Sequence, residues 1–181
     1  MAFRTFQAYL DDENIITIEL AKTFDAYSIH FTLEDRHGSS PLTIKSINNQ
    51  EQQIIYTVSA NEPIDLTKIY TIYDQDRNHT ILQYRHIIQK PIFDELFDYA
   101  GEDLGAHYSK DATEFKLWAP ISEKVHLHIK SRVYPLERQK RGTWYTQVAG
   151  DLEGQAYFYL HKINGKWVEV HDPYALSSDA N

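Results

Sequence analysis

Lys124-Val125-His126-Leu127-His128-Ile129-Lys130 alternates apolar and polar side chains without a break. A period of two belongs to a β-strand with one buried and one wet face. Val125, Leu127 and Ile129 are expected to point inward, and His126 and His128 outward. The flanking sequence repeats the pattern. Residues 113–118 carry Phe115 and Leu117 on one face, and 143–148 form a further strand after Arg141-Gly142. In 155–162, Ala156, Phe158 and Leu160 read as the inward face, opposite Tyr157, Tyr159 and His161. Ile163-Asn164-Gly165-Lys166 holds an Asn-Gly pair, the strongest short hairpin signal, so 166–170 should pair back. Short strands with turn signals every 8–12 residues or so describe a small β-sandwich.

The first half has the same character. In residues 14–20, Ile16, Ile18 and Leu20 alternate with Thr17 and Glu19. In 27–33, Tyr27, Ile29, Phe31 and Leu33 alternate with Ser28, His30 and Thr32. Lys22-Thr23-Phe24-Asp25 reads as a connector between them, and residues 36–41 as a turn or loop. Further strands are expected over 42–47, 53–58, 68–73 and 80–88, with Asp74-Gln75-Asp76-Arg77-Asn78 as a hairpin loop. No helix is indicated. Residues 90–105 interrupt the rhythm with a proline, five acidic residues and two glycines, a natural boundary. Phe93, Leu96, Phe97 and Tyr99 there should still pack on a domain surface. The expectation is an all-β chain of two β-sandwich-type domains, 1–92 and 104–181, joined by a segment 93–103.

Composition narrows the function. The 181 residues carry 18 Lys plus Arg against 26 Asp plus Glu, a formal charge of −8. Nucleic-acid binding leans on clustered cations, so no nucleic-acid partner is expected. Cys is absent, which excludes disulfides, thiolate nucleophiles and thiolate metal sites. No signal peptide and no membrane-length apolar run is visible, so a cytoplasmic protein without a membrane partner is expected.

Catalytic chemistry finds little support. His126, His128 and, from a neighbouring strand, His161 could be imagined around a zinc ion, but no tightly spaced carboxylate accompanies them. A solvated strand face is the simpler reading, and no metal or cofactor is expected. Asp94/Glu95 and Glu102/Asp103 could be imagined as the two carboxyls of a glycosidase, yet adjacent acids in a linker are ordinarily just solvated. Of the 24 Tyr, Phe and Trp rings, one stands apart. Trp167 follows the Asn-Gly turn at a sheet end, where an indole can lie against the apolar face of a sugar while Lys166 and Asn164 reach hydroxyls. Trp167, Lys166 and Asn164 are therefore the candidate carbohydrate contacts, and there is no catalytic candidate.

These residues carry a resemblance. Leu104-Gly105-Ala106-His107-Tyr108, then Thr113-Glu114-Phe115-Lys116-Leu117-Trp118-Ala119-Pro120, resembles the opening of the N-terminal β-sandwich in debranching and branching enzymes of the α-amylase superfamily. Gly142-Thr143-Trp144, Gly150-Asp151-Leu152-Glu153-Gly154 with Tyr157-Phe158-Tyr159, Asn164-Gly165-Lys166-Trp167 and Asp172-Pro173-Tyr174-Ala175 continue it in step. This is similar to the family-48 carbohydrate-binding module, an immunoglobulin-like sandwich. Phe6-Gln7-Ala8-Tyr9-Leu10-Asp11-Asp12-Glu13-Asn14-Ile15-Ile16-Thr17 resembles the start of type I pullulanases, bacterial α-1,6-debranching enzymes of glycoside hydrolase family 13.

The resemblance implies a non-catalytic accessory region ahead of a (β/α)₈ barrel that holds the nucleophile and acid. Its implied partners are that barrel and, weakly, α-glucan. It also implies structural roles in the core for Trp118 and Trp144. Leu160 stands where sugar-binding members of the module family carry Lys, and a second Trp has no counterpart. The alternative is a freestanding α-glucan-binding or scaffold module.

Overall fold

The computed structural model describes residues 5–22 and 27–174. Thr23, Phe24 and Asp25 of the expected connector, and Ala175 at the end of the last motif, lie outside them. The chain divides between Glu95 and Leu96 into two units.

In the first unit, alternation places each strand. β1 (Phe6–Leu10) turns Phe6, Ala8 and Leu10 inward, and β2 (Ile15–Ala21) does the same with Ile16, Ile18 and Leu20. β3 (Phe31–Asp35), β4 (Gly38–Asn49), β5 (Gln53–Ser59), β6 (Thr71–Asp74) and β7 (His79–Tyr84) follow. The strand order is β1-β2-β5-β4-β3-β6-β7. It closes on itself because β7 pairs in parallel with β1, Ala8 against Leu82 and Leu10 against Tyr84. The unit is thus a closed barrel where a two-layer sandwich was expected, since pairing the first strand with the last leaves no edge to stack. Phe31 sits in the core edge-on to both Tyr56, 5.1 Å between ring centroids, and Phe6.

Four local expectations for this unit shift. Residues 27–30 are not strand: Ile29 is 79% exposed, while Ser28 is buried and donates its N–H to the Tyr56 hydroxyl at 2.9 Å. The expected loop 36–41 shrinks to a tight turn. There Asp35 Oδ1 accepts the His37 and Gly38 amides, and β4 starts at Gly38. Pro41 falls where β4 pairs with β3 alone, the one-neighbour position that tolerates a missing donor. β6 starts three residues late, because Asp65 folds residues 65–67 into a turn by accepting the Thr67 amide and hydroxyl. β7 gives way to a 3₁₀ turn, His86–Gln89. The 74–78 loop is a hairpin, its amides at Asp76 and Asn78 bonded to the buried Asp74 carboxylate.

Arg85, just past β7, fastens the strand ends. Its Nε and Nη2 donate to the two oxygens of Asp11 at 2.7 Å, Nη1 reaches Glu19, and the guanidinium lies over the Tyr9 ring. Burial raises the Asp11 pKa, but Arg85 and Thr17 outweigh it and leave the carboxyl below its ordinary value.

α1 (Pro91–Phe97), a helix where none was indicated, overlaps the start of the expected joining segment 93–103, and the division into units falls inside it. The segment after it is strapped to the second unit. Lys116 Nζ donates to Asp103 and to the Tyr99 hydroxyl, and Arg141 donates to the Asp98 carbonyl. Gly142, at φ +72°, is required there: a Cβ would stand 2.5 Å from Pro120 Cβ and 3.1 Å from Phe97.

The second unit comprises β8 (Gly105–Tyr108), β9 (Ala112–Trp118), β10 (Lys124–Ile129), β11 (Arg132–Pro135), β12 (Glu137–Arg138), β13 (Thr143–Ala149), β14 (Tyr157–Ile163) and β15 (Lys166–Val170). They form two four-stranded sheets, β11-β10-β14-β15 and β12-β13-β9-β8, around Phe115, Leu117, Val125, Leu127, Ile129, Trp144, Val148 and Tyr159. Trp144 is core, its indole N–H bonded to the Ala119 carbonyl. Trp118 is not: it is 38% exposed, and its N–H donates to the Phe97 and Arg141 carbonyls.

The face of β14 is the main correction. Its register sets Leu127 against Tyr159 and Val125 against His161. Directly paired residues share a face, so Tyr159 and His161 are buried while Phe158 and Leu160 lie on the outer side.

Tyr159 has no exposed surface, and its hydroxyl has no hydrogen-bond partner among the described residues. Tyr159→Phe should therefore leave stability unchanged or raise it by up to about 1 kcal/mol, while Tyr159→Ala should cost about 3–5 kcal/mol. Phe158→Ala should cost only about 1 kcal/mol. Urea unfolding of the three variants checks the face. The Asp11 carboxyl, held below the unfolded value, stabilises the barrel above about pH 4 and loses that contribution as pH falls through its folded pKa. Arg85→Gln should flatten this acid limb in unfolding midpoints followed from about pH 5 downward.

Candidate functional site

The outer face of β11-β10-β14-β15 follows from the same register. Outward positions on β10 are His126 and His128, on β14 Phe158, Leu160 and Lys162, and on β15 Trp167 and Glu169. Two ring pairs cross the strands. His126 lies 4.5 Å from the Trp167 ring, tilted 35°, and His128 stacks on Phe158 at 4.9 Å and 19°. Trp167 is 44% exposed, so part of the indole faces solvent with an imidazole beside it.

The hairpin that presents Trp167 uses left-handed backbone at both turn residues, Asn164 at φ 55° and Gly165 at φ 73°, the combination the two-residue hairpin demands. The Gly165 amide donates to Glu123 Oε1 at 2.9 Å, which anchors the turn. Trp167 stands opposite Lys162, whose Nζ lies 4.0 Å from Glu123. Of the three candidate contacts, Trp167 is on the outer face and Asn164 is exposed at its turn end. Lys166, one residue from Trp167, alternates to the opposite side of the strand. Lys162 is the cation beside the indole, and sequence reasoning passed over it. A two-residue turn at 164–165 already pairs 163 with 166 and 162 with 167, so that signal could have found it.

The three histidines do not converge. His161 belongs to the inner face, with Nδ1 2.9 Å from Ser122 Oγ, while His126 and His128 lie outside. Among the described residues no group of three His, Asp or Glu is placed to hold a metal ion. Of the acidic residues considered for glycosidase chemistry, Asp103 is bonded to Lys116 and Tyr99, and the Lys116 ammonium holds its carboxyl below the usual range. No helix among the described residues is long and apolar enough to cross a membrane.

Two family descriptions match the chain: the pullulanase N1-terminal domain over residues 6–89, and carbohydrate-binding module 48 (isoamylase N-terminal domain) over residues 103–175. A pullulanase of Bacillus subtilis (strain 168) is 32% identical over 184 residues, covering 98% of this chain and 26% of that protein. Among solved structures, the pullulanase of Anoxybacillus sp. LM18-11 complexed with maltotriose superposes with a TM-score of 0.82 at 33% identity, over 94% of this chain and 26% of that one. The type I pullulanase of Bacillus subtilis str. 168 complexed with maltose gives 0.80 at 31%, over 94% and 25%. The chain spans about a quarter of the length of these relatives, and the matched quarter is their non-catalytic N-terminal region.

Burial lowers the pKa of His161, and burial followed by the charges of His128 and Lys124 lowers that of His126. Both rings resist protonation when folded, so the unfolded chain binds more protons below its own histidine pKa of about 6.5. Stability should fall as pH drops through about 6.5 and level off below the folded values. In a proton NMR titration both ring signals should have midpoints below about pH 6.5; a midpoint at or above it for either would contradict the burial described.

Proposed function

The chain consists of a pullulanase N1-terminal domain followed by a carbohydrate-binding module 48, and on that premise we propose that it contacts α-glucan and supports the catalytic barrel of a pullulanase-type α-1,6-debranching hydrolase in the same polypeptide. The 181 residues correspond to the non-catalytic region of such an enzyme. Bond cleavage is then the work of the barrel, and the contribution here is to hold polymer and scaffold. A cytoplasmic setting is part of the same proposal.

The observation that carries the reading is the half-exposed Trp167 indole on the outer sheet face, set beside His126 and opposite Lys162. A glucose ring presents C–H groups on its faces, and an indole is the largest flat apolar partner a side chain offers. His126 buttresses one side of the ring, which lowers the ordering cost of binding. The Lys162 ammonium and the Asn164 amide supply hydrogen bonds to hydroxyls. Lys166 serves only a glucan that reaches round the strand edge. Two solved relatives are complexed with maltotriose and maltose, which supports an α-glucan as the ligand class.

A face with one indole and, among the described residues, no opposing wall gains little beyond its ordering costs, so affinity should be near 1 mM, about −4 kcal/mol. Calorimetric titration with maltoheptaose should detect this binding, and Trp167→Ala should weaken it at least about tenfold, the equivalent of about 1.4 kcal/mol. Unchanged affinity in the variant would remove Trp167 from the site.

A further inference from the structure

A second concavity lies within the second unit, away from the Trp167 face. The loop between β13 and β14 borders a groove of about 480 Å³, inside the roughly 300–1,000 Å³ range of small-molecule sites. Phe115 gives it an apolar wall, Tyr108 and Tyr157 line it with rings, and Thr113, Glu153 and Gln155 add polar groups. The loop is preformed. Gly150 and Gly154 take φ of +101° and +67°, and Asp151 accepts the Glu153 amide at 3.0 Å.

Two features select a ligand. Among the described residues no Lys or Arg lines the groove, while Glu153 and Gln155 offer acceptor oxygens. That disfavours an anion and suits a neutral donor of hydroxyl hydrogens. The Tyr108 and Tyr157 hydroxyls are already committed, to Asp151 at 2.8 Å and Asp172 at 2.6 Å, leaving their rings as apolar surface. A small, uncharged, hydroxyl-rich molecule with an apolar face meets both.

We propose that this groove is a second carbohydrate site, which takes one or two hexose residues of an α-glucan independently of Trp167. The sugar class rests on the α-glucan reading above; the groove's independence from Trp167 does not. Geometry supports two roles: the outer face holds polymer along a sheet, and the groove holds a short stretch or a chain end.

The test is an amide NMR titration of the ¹⁵N-labelled 181-residue chain with maltose and with maltoheptaose. The comparison set is Glu153→Gln, Ala156→Phe and Trp167→Ala, each checked for an intact spectrum first. Maltose should shift the amides of residues 152–157 saturably. Glu153→Gln should weaken this about three- to tenfold. Ala156→Phe, an exposed lining position, should abolish it by filling the groove, and Trp167→Ala should leave it unchanged. Shifts confined to β10, β14 and β15 near Trp167 would overturn the groove and leave the outer-face reading standing. Shifts at 152–157 that survive Ala156→Phe would also overturn it. Groove shifts without outer-face shifts would uphold the groove and remove Trp167 from glucan binding, and no shift anywhere would overturn both.

Discussion

The pairing of Leu127 with Tyr159 decides what the second unit can do. Once those two residues sit across from each other, every other residue of β10 and β14 is assigned to core or surface, because one residue of slip would exchange the faces. The register buries a tyrosine and a histidine and leaves a phenylalanine and a leucine half in water. That looks inverted on hydrophobicity alone. It is consistent once area is counted: a phenol ring brings as much apolar surface into the core as a phenyl ring, and His161 shares its buried position with Ser122. The outer face receives in return His128 on Phe158 and His126 on Trp167, a surface of rings that a purely polar strand face would not have.

Much of this is legible in the sequence, and the failures have particular causes. The all-β class, the Asn164-Gly165 hairpin, the Asp74–Asn78 loop and the inward faces of β2, β9 and β10 all come from period and turn chemistry, which act locally. β14 misleads because Ala156, Phe158 and Leu160 form the more apolar of two alternating sets, and only the partner strand says which set is inside. Ile29 misleads for a related reason: one alternating run spans both an irregular segment and β3, and the Tyr56 hydroxyl that captures the Ser28 amide is 28 residues away. Pro41 looks like a loop signal because proline does end strands, except where a strand has one neighbour. β1 alternates as well as any, yet stands out in the sequence only as part of a family motif.

For the site, Trp167 and its turn can be found from the sequence, since an Asn-Gly pair fixes the register of the two strands it joins. Lys166 is its neighbour along the chain, whereas a strand puts adjacent residues on opposite sides. The useful neighbours are two cross-strand residues, Lys162 and His126. The groove leaves even less trace. Its mark is a loop shaped by two glycines and brought up against rings from β8, β9 and β14, and that meeting is not visible before the chain is folded.

Closure of the first unit has a temporal consequence. β1 meets β2 across a few residues but meets β7 only after some 70 more have been made, and that contact is the one that seals the cylinder. A ribosome releases the N-terminus first, so β1 spends that interval with one row of amides and carbonyls unclaimed. Long-range parallel pairing is the slow kind, and an open strand invites the wrong partner while it waits. The Arg85 guanidinium, arriving directly behind β7 and carrying three donors for Asp11 and Glu19, is placed to work as a latch on a ring that can only be shut from its far end.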